Sequence, residues 1–314
     1  MSDQTLPVIR FGSNADARLA CQLDAAFSGI GFCYLSDIGV DPPIVEAVFE
    51  ASRRFHALPR EAKEAIAMNR FHRGYMALKT STIETSTVAK VTQPNDSESF
   101  MLMHEVAPDD PRHGRPLDGP NQWPELEDFR APVEAYDRAM GDFCRRFLPV
   151  LAVALNLQRD WFAGFFQQPT TFLRLLHYPP RQPDDAFGSA PHTDYGFITI
   201  LAQDDRGGLE VRGRDGCWLK APPIAGTWVV NVADMLARWT NGRWQSTPHR
   251  VRNISGGDRY SCPYFFDMSM DSIVAVLPTC QDRDNPPRFP AVRYGDYLME
   301  RLDRNYAYRK QPTI

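Results

Sequence analysis

Residues 190–201 read APHTDYGFITIL, and the fold turns on them. His192 and Asp194 stand two positions apart and run into an alternating apolar stretch, Phe197 to Leu201. His-x-Asp also arises by chance, with both side chains simply solvated. The other reading is two-thirds of a metal site at the mouth of a buried strand. Residues i and i+2 of a strand face the same way, so both donors can reach one point inside a barrel. A third donor must then come from a different strand. The following residues offer His249, in STPHRV, just before another strand-like run. His177 lies on a preceding strand and reads as a strand histidine outside the set. Two imidazoles and one carboxylate with open positions form the facial triad of non-haem Fe(II) oxygenases. Zinc accepts similar ligands, so the triad alone does not fix the metal.

Ten residues beyond His249 stands Arg259, in DRYSCPYFF, with Ser261 at i+2. An inward guanidinium in a barrel is expensive unless it meets an anion. Arginine grips a carboxylate with a planar fork, and a neighbouring hydroxyl adds a further bond. The pair implies a carboxylate-bearing ligand in the metal cavity, and a dicarboxylate such as 2-oxoglutarate fits.

Outward from this centre the texture is β. TTFLRLLHYPP, FITILAQD, GGLEVRG, CWLKAP, GTWVVNVAD, TPHRVRN, RYSCPYFFDM and DSIVAVLP are short, apolar and separated by turn residues. Such a series predicts a sandwich or barrel, with a jelly roll among the options. Asn231 and Asp234, in VNVADML, read as residues that fix the turn after a strand. The N-terminal half mixes strands (LPVIRF, GFCYLSDIG) with helices (ADARLACQLDAAFSGIG, PPIVEAVFEASRRFHAL, PREAKEAIAM). Phe129, Val133, Tyr136, Met140, Phe143, Phe147, Leu151 and Leu155 fall near one face of a long helix. YGDYLMERLDRNYAY predicts a final helix. The expectation is mostly β with helices: a single unit over 1–314, an N-terminal region at 1–105 and a jelly-roll catalytic core at 165–280.

The bulk properties exclude several classes. The 314 residues are 43% hydrophobic and 24% charged, ordinary for a globular chain. A net charge of −4 gives no footprint for nucleic acid. No apolar run approaches the roughly 18 residues of a membrane span. The N-terminus does not read as a signal peptide. Six scattered cysteines with no Cys-x-x-Cys suggest a reducing, cytoplasmic setting. The expected partner is a small-molecule substrate, without nucleic acid or membrane, for a monomer or weak homo-oligomer.

LRLLHYPP, HTDYGFITIL, GGLEV, GTWVVNVADMLARWTNGRWQSTPHRV and RYSCPYFFD, in that order over roughly 170–270, resemble the Fe(II)/2-oxoglutarate oxygenases of the isopenicillin N synthase-like family. LPVIRF, GFCYLSDIGV, FHALP, RGY and SESF resemble that family's N-terminal region. The resemblance implies a double-stranded β-helix with a helical N-terminal extension. It implies that His192, Asp194 and His249 hold iron, and that Arg259 and Ser261 take the far carboxylate of 2-oxoglutarate. Tyr178 occupies the place of a tyrosine that supports the co-substrate. The asparagine often found two residues before that tyrosine is Leu176 here. The implied reaction consumes O2 and 2-oxoglutarate, releases succinate and CO2, and hydroxylates, desaturates or cyclises a small organic molecule.

Two other readings stand beside it. Isopenicillin N synthase itself shares the triad and the Arg-x-Ser pair without using 2-oxoglutarate, and has an iron-ligating glutamine near its C-terminus; Gln311 is the nearest counterpart here. A non-catalytic jelly-roll binding protein is the third. The substrate wall is sought in the long Ser/Thr-rich segment 70–98, which has few apolar anchors and reads as a lid that orders over substrate. Arg73 and Tyr75 are its candidate contacts, joined by Phe100 from ESFML and Phe266 from the strand of Arg259. Arg73 and Lys79 either greet an acidic substrate or are simply solvated. Arg174 has two readings, a contact to a substrate carboxylate or a partner of a backbone group, and the structural one is preferred.

Overall fold

The computed structural model describes residues 5–12, 17–82, 93–180 and 187–309. The chain opens with strand β1 (Val8–Arg10), helix α1 (Ala17–Gly29), β2 (Phe32–Ser36), α2 (Pro42–His56) and the short α3 (Arg60–Glu64). Next come β3 (Gly74–Met76), β4 (Glu98–Met103) and the long α4 (Arg130–Ala154). Then follow β5 (Thr170–Tyr178), β6 (Ser189–His192), β7 (Ile198–Gln203), β8 (Leu209–Arg212), β9 (Trp218–Lys220) and β10 (Thr227–Val232). After α5 (Asp234–Trp239) come β11 (His249–Val251), β12 (Arg259–Asp267), β13 (Ile273–Val274), β14 (Val292–Arg293) and α6 (Tyr294–Asn305).

Two sheets make the jelly roll. The larger runs β1-β2-β10-β7-β12-β5-β4-β3, and the smaller runs β6-β11-β8-β9. Strands from both halves of the chain share the larger sheet. Its outer face is covered by helices, and alternation along the strands decides what goes there. On β12, Cys262, Tyr264 and Phe266 join the large apolar cluster with Phe27, Phe55 and the buried stripe of α4. That stripe contains all eight residues expected of it, Phe129 and Leu155 flanking the helix proper. Proline occupies the first turn of α2, where its missing N–H leaves no bond unmade. A smaller apolar cluster between the sheets includes Phe32, Leu176, Tyr178, Val211 and Val251. The space between the sheets that is not filled by this cluster is the site.

All eight strands expected between residues 169 and 277 form, and the final helix forms as α6. The additional strand is β6, which carries His192. The segment 70–98 departs from expectation. Its two described arms are anchored: Phe71, His72, Arg73, Tyr75 and Met76 are buried, as are Asn95 to Glu98. The remaining stretch, 83–92, lies outside the described residues, as does Gln311. Among the described residues no helix is long and apolar enough to cross a membrane.

Candidate metal centre and its two compartments

His192 ends β6, and His249 opens β11 directly opposite it in the antiparallel register. Their ring centroids are 4.3 Å apart. Asp194 lies beyond the end of β6, not on a strand, so the i, i+2 argument does not describe it. It arrives instead through the turn into β7. There its backbone carbonyl accepts from the Asp234 N–H at 2.8 Å. The Asp194 Oδ1 atom sits 3.7 Å from His192 Nε2 and 3.8 Å from His249 Nε2. One donor atom from each residue lies within 4.8 Å of the others.

Each donor is oriented by a bond on its far side. His192 Nδ1 donates to the Ala190 carbonyl at 2.8 Å, and His249 Nδ1 donates to the Thr247 carbonyl at 3.2 Å. Both Nε2 lone pairs are thereby left for a metal. Asp194 Oδ2 accepts from Thr199 Oγ1 at 2.6 Å and from Asn231 Nδ2 at 2.8 Å, which leaves Oδ1 for the same purpose. Burial, with His249 next, lowers the pKa of His192 to about 4. Burial pushes the Asp194 carboxyl upward, but His249, His192 and the bonds from Thr199 and Asn231 hold it below its ordinary value. Neutral imidazoles beside an ionised carboxylate are the state that binds a divalent ion. The donor set therefore fits Fe(II), and the exposure of a second side of the cluster to open space fits an incomplete protein coordination sphere.

A smaller cavity, about 80 Å³, extends from this cluster between the sheets. Tyr178, Arg259 and Ser261 line it, with Leu176 and Leu201. Arg259 is fully buried. Its Nε donates to the Gly207 carbonyl at 2.5 Å, and its terminal nitrogens reach Ser261 Oγ at 3.5 Å and Gln203 Oε1 at 3.3 Å. The guanidinium lies 4.7 Å from the centre of the Tyr178 ring. Gly207 and Gly208 both take positive φ, 74° and 94°, and a Cβ at Gly208 would stand 2.4 Å from the Arg252 carbonyl. The GG of GGLEV thus brings a backbone carbonyl onto Arg259 where bulkier residues would be strained. Among the described residues no carboxylate pairs with Arg259.

A larger cavity, about 110 Å³, extends from the other side of the cluster. His72, Met101, Phe172, Tyr195, Phe265 and Tyr306 form much of its wall, and Arg174 is shared with the smaller cavity. His72 takes a left-handed backbone at φ 65°. Its ring edge meets Tyr306 with centroids 4.6 Å apart, and its Nδ1 bonds the Tyr308 hydroxyl. Asp267 also lines the cavity, but both of its oxygens are engaged. Oδ1 accepts from the Phe197 N–H and Oδ2 from the Tyr294 hydroxyl, each at 2.6 Å.

The four expected substrate contacts lie elsewhere. Arg73 is fully buried and donates to the carbonyls of Phe71, Leu117 and His104 and to the Asn121 side chain. Its charge is spent on closing loops, not on a ligand. Tyr75 donates its hydroxyl to Glu98 at 2.5 Å and packs against Phe55. Phe100 packs among Phe55, Trp123 and Phe129 under the helices. Phe266 stacks on Phe166 with centroids 5.1 Å apart. Phe100 and Phe266 are on strands that do border the cavity, through Met101 and Phe265, but on the opposite face. Lys79 is exposed and lines neither cavity. His177 stands outside the cluster, bonded to Glu98 at 2.8 Å and Asp258 at 2.7 Å. Sequence reasoning missed Thr199 behind Asp194 and Phe265 on β12, and it preferred structural readings for Asn231 and Arg174; strand alternation from Tyr178 and Arg259 already places Arg174 and Phe265 inward.

Comparison with known proteins agrees with this geometry. The family model described as the 2OG-Fe(II) oxygenase superfamily matches residues 169–268, and the one described as the N-terminal region of a non-haem dioxygenase in morphine synthesis matches 6–126. The 2-oxoglutarate-Fe(II) type oxidoreductase hxnY of Emericella nidulans is 33% identical over 95% of this chain and 88% of its own. A full-length protein of Neurospora crassa, solved in complex with alpha-KG, superposes with a TM-score of 0.81 at 30% identity, covering 96% of this chain and 97% of that one. JOX2 in complex with 2OG, Fe and JA gives a TM-score of 0.81 at 28% identity, over 94% and 84%. The chain belongs to the 2OG-Fe(II) oxygenase superfamily, and its cofactors are Fe(II) and 2-oxoglutarate.

Proposed function

We propose that His192, Asp194 and His249 hold the Fe(II). In this reading Arg259, Ser261 and Tyr178 receive the far carboxylate of 2-oxoglutarate in the smaller cavity. The larger cavity takes the substrate, a small organic molecule, in a cytoplasmic setting that suits six free thiols, two of them exposed. The observation that carries the reading is the meeting of two cavities at one cluster of three donors.

The iron supplies O2 activation, coupling decarboxylation of 2-oxoglutarate to succinate and CO2 with oxidation of a substrate C–H bond. The chain's residues do the rest. Arg259 fixes the distance of the co-substrate from the donors, because its own position is fixed by Gly207 and Gln203. Its fork and the Ser261 hydroxyl match a carboxylate in geometry as well as charge. Leu176 and Leu201 keep that compartment dry, which strengthens the ion pair. Across the cluster, Phe172 and Phe265 hold the substrate body near the donors, and positioning of that kind lowers the barrier without new chemistry. The relatives' dependence on 2-oxoglutarate favours this reading over an oxidase that needs no co-substrate.

The test is a metabolite screen read by succinate release, with Fe(II), ascorbate and 2-oxoglutarate present. Substrate-dependent succinate matched by an oxidised product supports the reading. Oxidation of a substrate that proceeds at full rate without 2-oxoglutarate contradicts it.

A further inference from the structure

Among the described residues, Arg174 is the one charged side chain that lines both cavities apart from the metal-site carboxylate. It lies on β5, facing the same way as Tyr178, which is four residues on. Its Nε donates to Ser99 Oγ at 2.9 Å, and one terminal nitrogen approaches only the Met76 sulfur, at 3.9 Å. A thioether is a weak acceptor. Among the described residues no carboxylate pairs with Arg174. The Asp267 carboxylate on the same wall has both oxygens engaged by Tyr294 and Phe197.

The charge balance of the loaded site sharpens the point. Fe(II), Asp194, the 2-oxoglutarate dianion and Arg259 together carry no net charge. Both imidazoles bind the metal as neutral groups. Arg174 adds one positive charge to that neutral set, in a half-buried cavity with aromatic and aliphatic walls. Among the described residues, the one other carboxyl on its lining besides Asp194 is Asp267, which is tied to Phe197 and Tyr294 and pushed by burial up to about 7. A cation so placed is costly until it meets an anion. The environment of His72, on the same wall, agrees. Burial, with the charges of Arg309, Arg174 and Arg73 added, drives its pKa well below the ordinary value, so it offers no competing positive charge and no negative one.

We infer that Arg174 anchors a carboxylate on the substrate, so that the substrate is a small organic acid whose apolar body lies along Phe172, Phe265 and Tyr306. The inference rests on the assignment of iron and 2-oxoglutarate made above. The free edge of the guanidinium presents the planar fork that a carboxylate matches. Anchoring the acid at Arg174, beside His192 and Asp194, leaves the rest of the molecule in front of the donors. Arg174 is then a specificity residue, and esters or amides of the true substrate are poor ligands.

The test is calorimetric binding under anaerobic conditions to protein loaded with Fe(II) and 2-oxoglutarate. The probes are phenylacetate with phenylacetamide, and hexanoate with hexanamide. In the wild type at least one carboxylate binds, about 10-fold or more tighter than its amide. Arg174→Gln abolishes that difference, and Arg174→Lys restores part of it. Titration of 2-oxoglutarate into each variant is the control, and its affinity stays within about 2-fold of wild type if Arg174 serves the substrate alone. Amides that bind as well as the acids, or the absence of binding by both acids, overturn the inference. So does a loss of 2-oxoglutarate affinity in Arg174→Gln, which assigns Arg174 to the co-substrate. Should Arg174→Gln fail to fold, the wild-type acid–amide comparison and Arg174→Lys decide the matter. Failure of Fe(II) or 2-oxoglutarate to bind the wild type at all refutes instead the function proposed above.

Discussion

The two cavities meet at one metal-binding cluster, yet they are built differently. The smaller takes Tyr178 from LRLLHYPP, Leu209 from GGLEV, and Arg259 and Ser261 from RYSCPYFFD, with Phe32 added from β2. Its key cation is fully buried and held by three oxygen acceptors of the protein itself, from Gly207, Gln203 and Ser261. The larger gathers His72, Met101, Phe172, Tyr195, Phe265 and Tyr306 from six separate places in the chain. Its cation, Arg174, has one hydroxyl partner and one sulfur neighbour. A compartment built for one dicarboxylate can hold its cation rigidly on the barrel strands. A compartment that sets substrate choice draws on loops and on the C-terminal helix, where change leaves the barrel intact.

Substitutions can break that contrast, and the largest effect is expected where the cavities join. His192→Ala and His249→Ala each remove a donor, so substrate-coupled and uncoupled succinate formation both fall to background. Retained turnover in either variant would show that the compartments do not share the metal. Arg259→Lys keeps the charge and loses the fork; the KM for 2-oxoglutarate rises by about 10-fold or more while Fe(II) affinity holds. If that KM is unchanged, the smaller cavity does not serve the co-substrate. Asn231→Ala removes one of two bonds to Asp194 Oδ2, and weakens Fe(II) binding by about 10- to 100-fold without altering the 2-oxoglutarate contacts. The last contrast uses two neighbours on β12. Phe266→Ala opens a hole in the helical core and destabilises the protein by about 3–5 kcal/mol. Phe265→Ala faces the larger cavity and changes substrate KM with a smaller loss of Tm. Equal losses of Tm in the pair would erase the distinction between the two faces of the strand.

Legibility in the sequence follows the same division. The metal donors and Arg259 are residue types whose burial needs a chemical reason, so their positions on predicted strands are informative. Even so, the premise used for Asp194 fails: β6 stops at His192, and the aspartate reaches the cluster through a turn secured by Asp234. Asn231 reads as a turn residue because an amide near a strand end usually is one. Its partner is 37 residues away, a contact that no local pattern contains. Phe100 and Phe266 illustrate a different loss. The strands are right and the face is wrong, since apolar residues on both faces remove the alternation that marks which side is core. The parity of Arg259 and Tyr178 is the available correction, and it points to Phe265 and Arg174. Arg73 stands out in the sequence for its charge, yet its N–H groups are taken up by backbone carbonyls from three loop positions that only the folded chain brings together.

The central claim is that one Fe(II), held by His192, Asp194 and His249, also receives 2-oxoglutarate. Anaerobic titration of Fe(II) into protein with 2-oxoglutarate, followed by the visible charge-transfer absorbance of a chelated keto acid, tests it directly. The wild type should develop the band to an end point at one equivalent of iron. Asp194→Ala and His249→Ala should develop none at the same concentrations. A band of equal strength and stoichiometry in those variants would contradict the account.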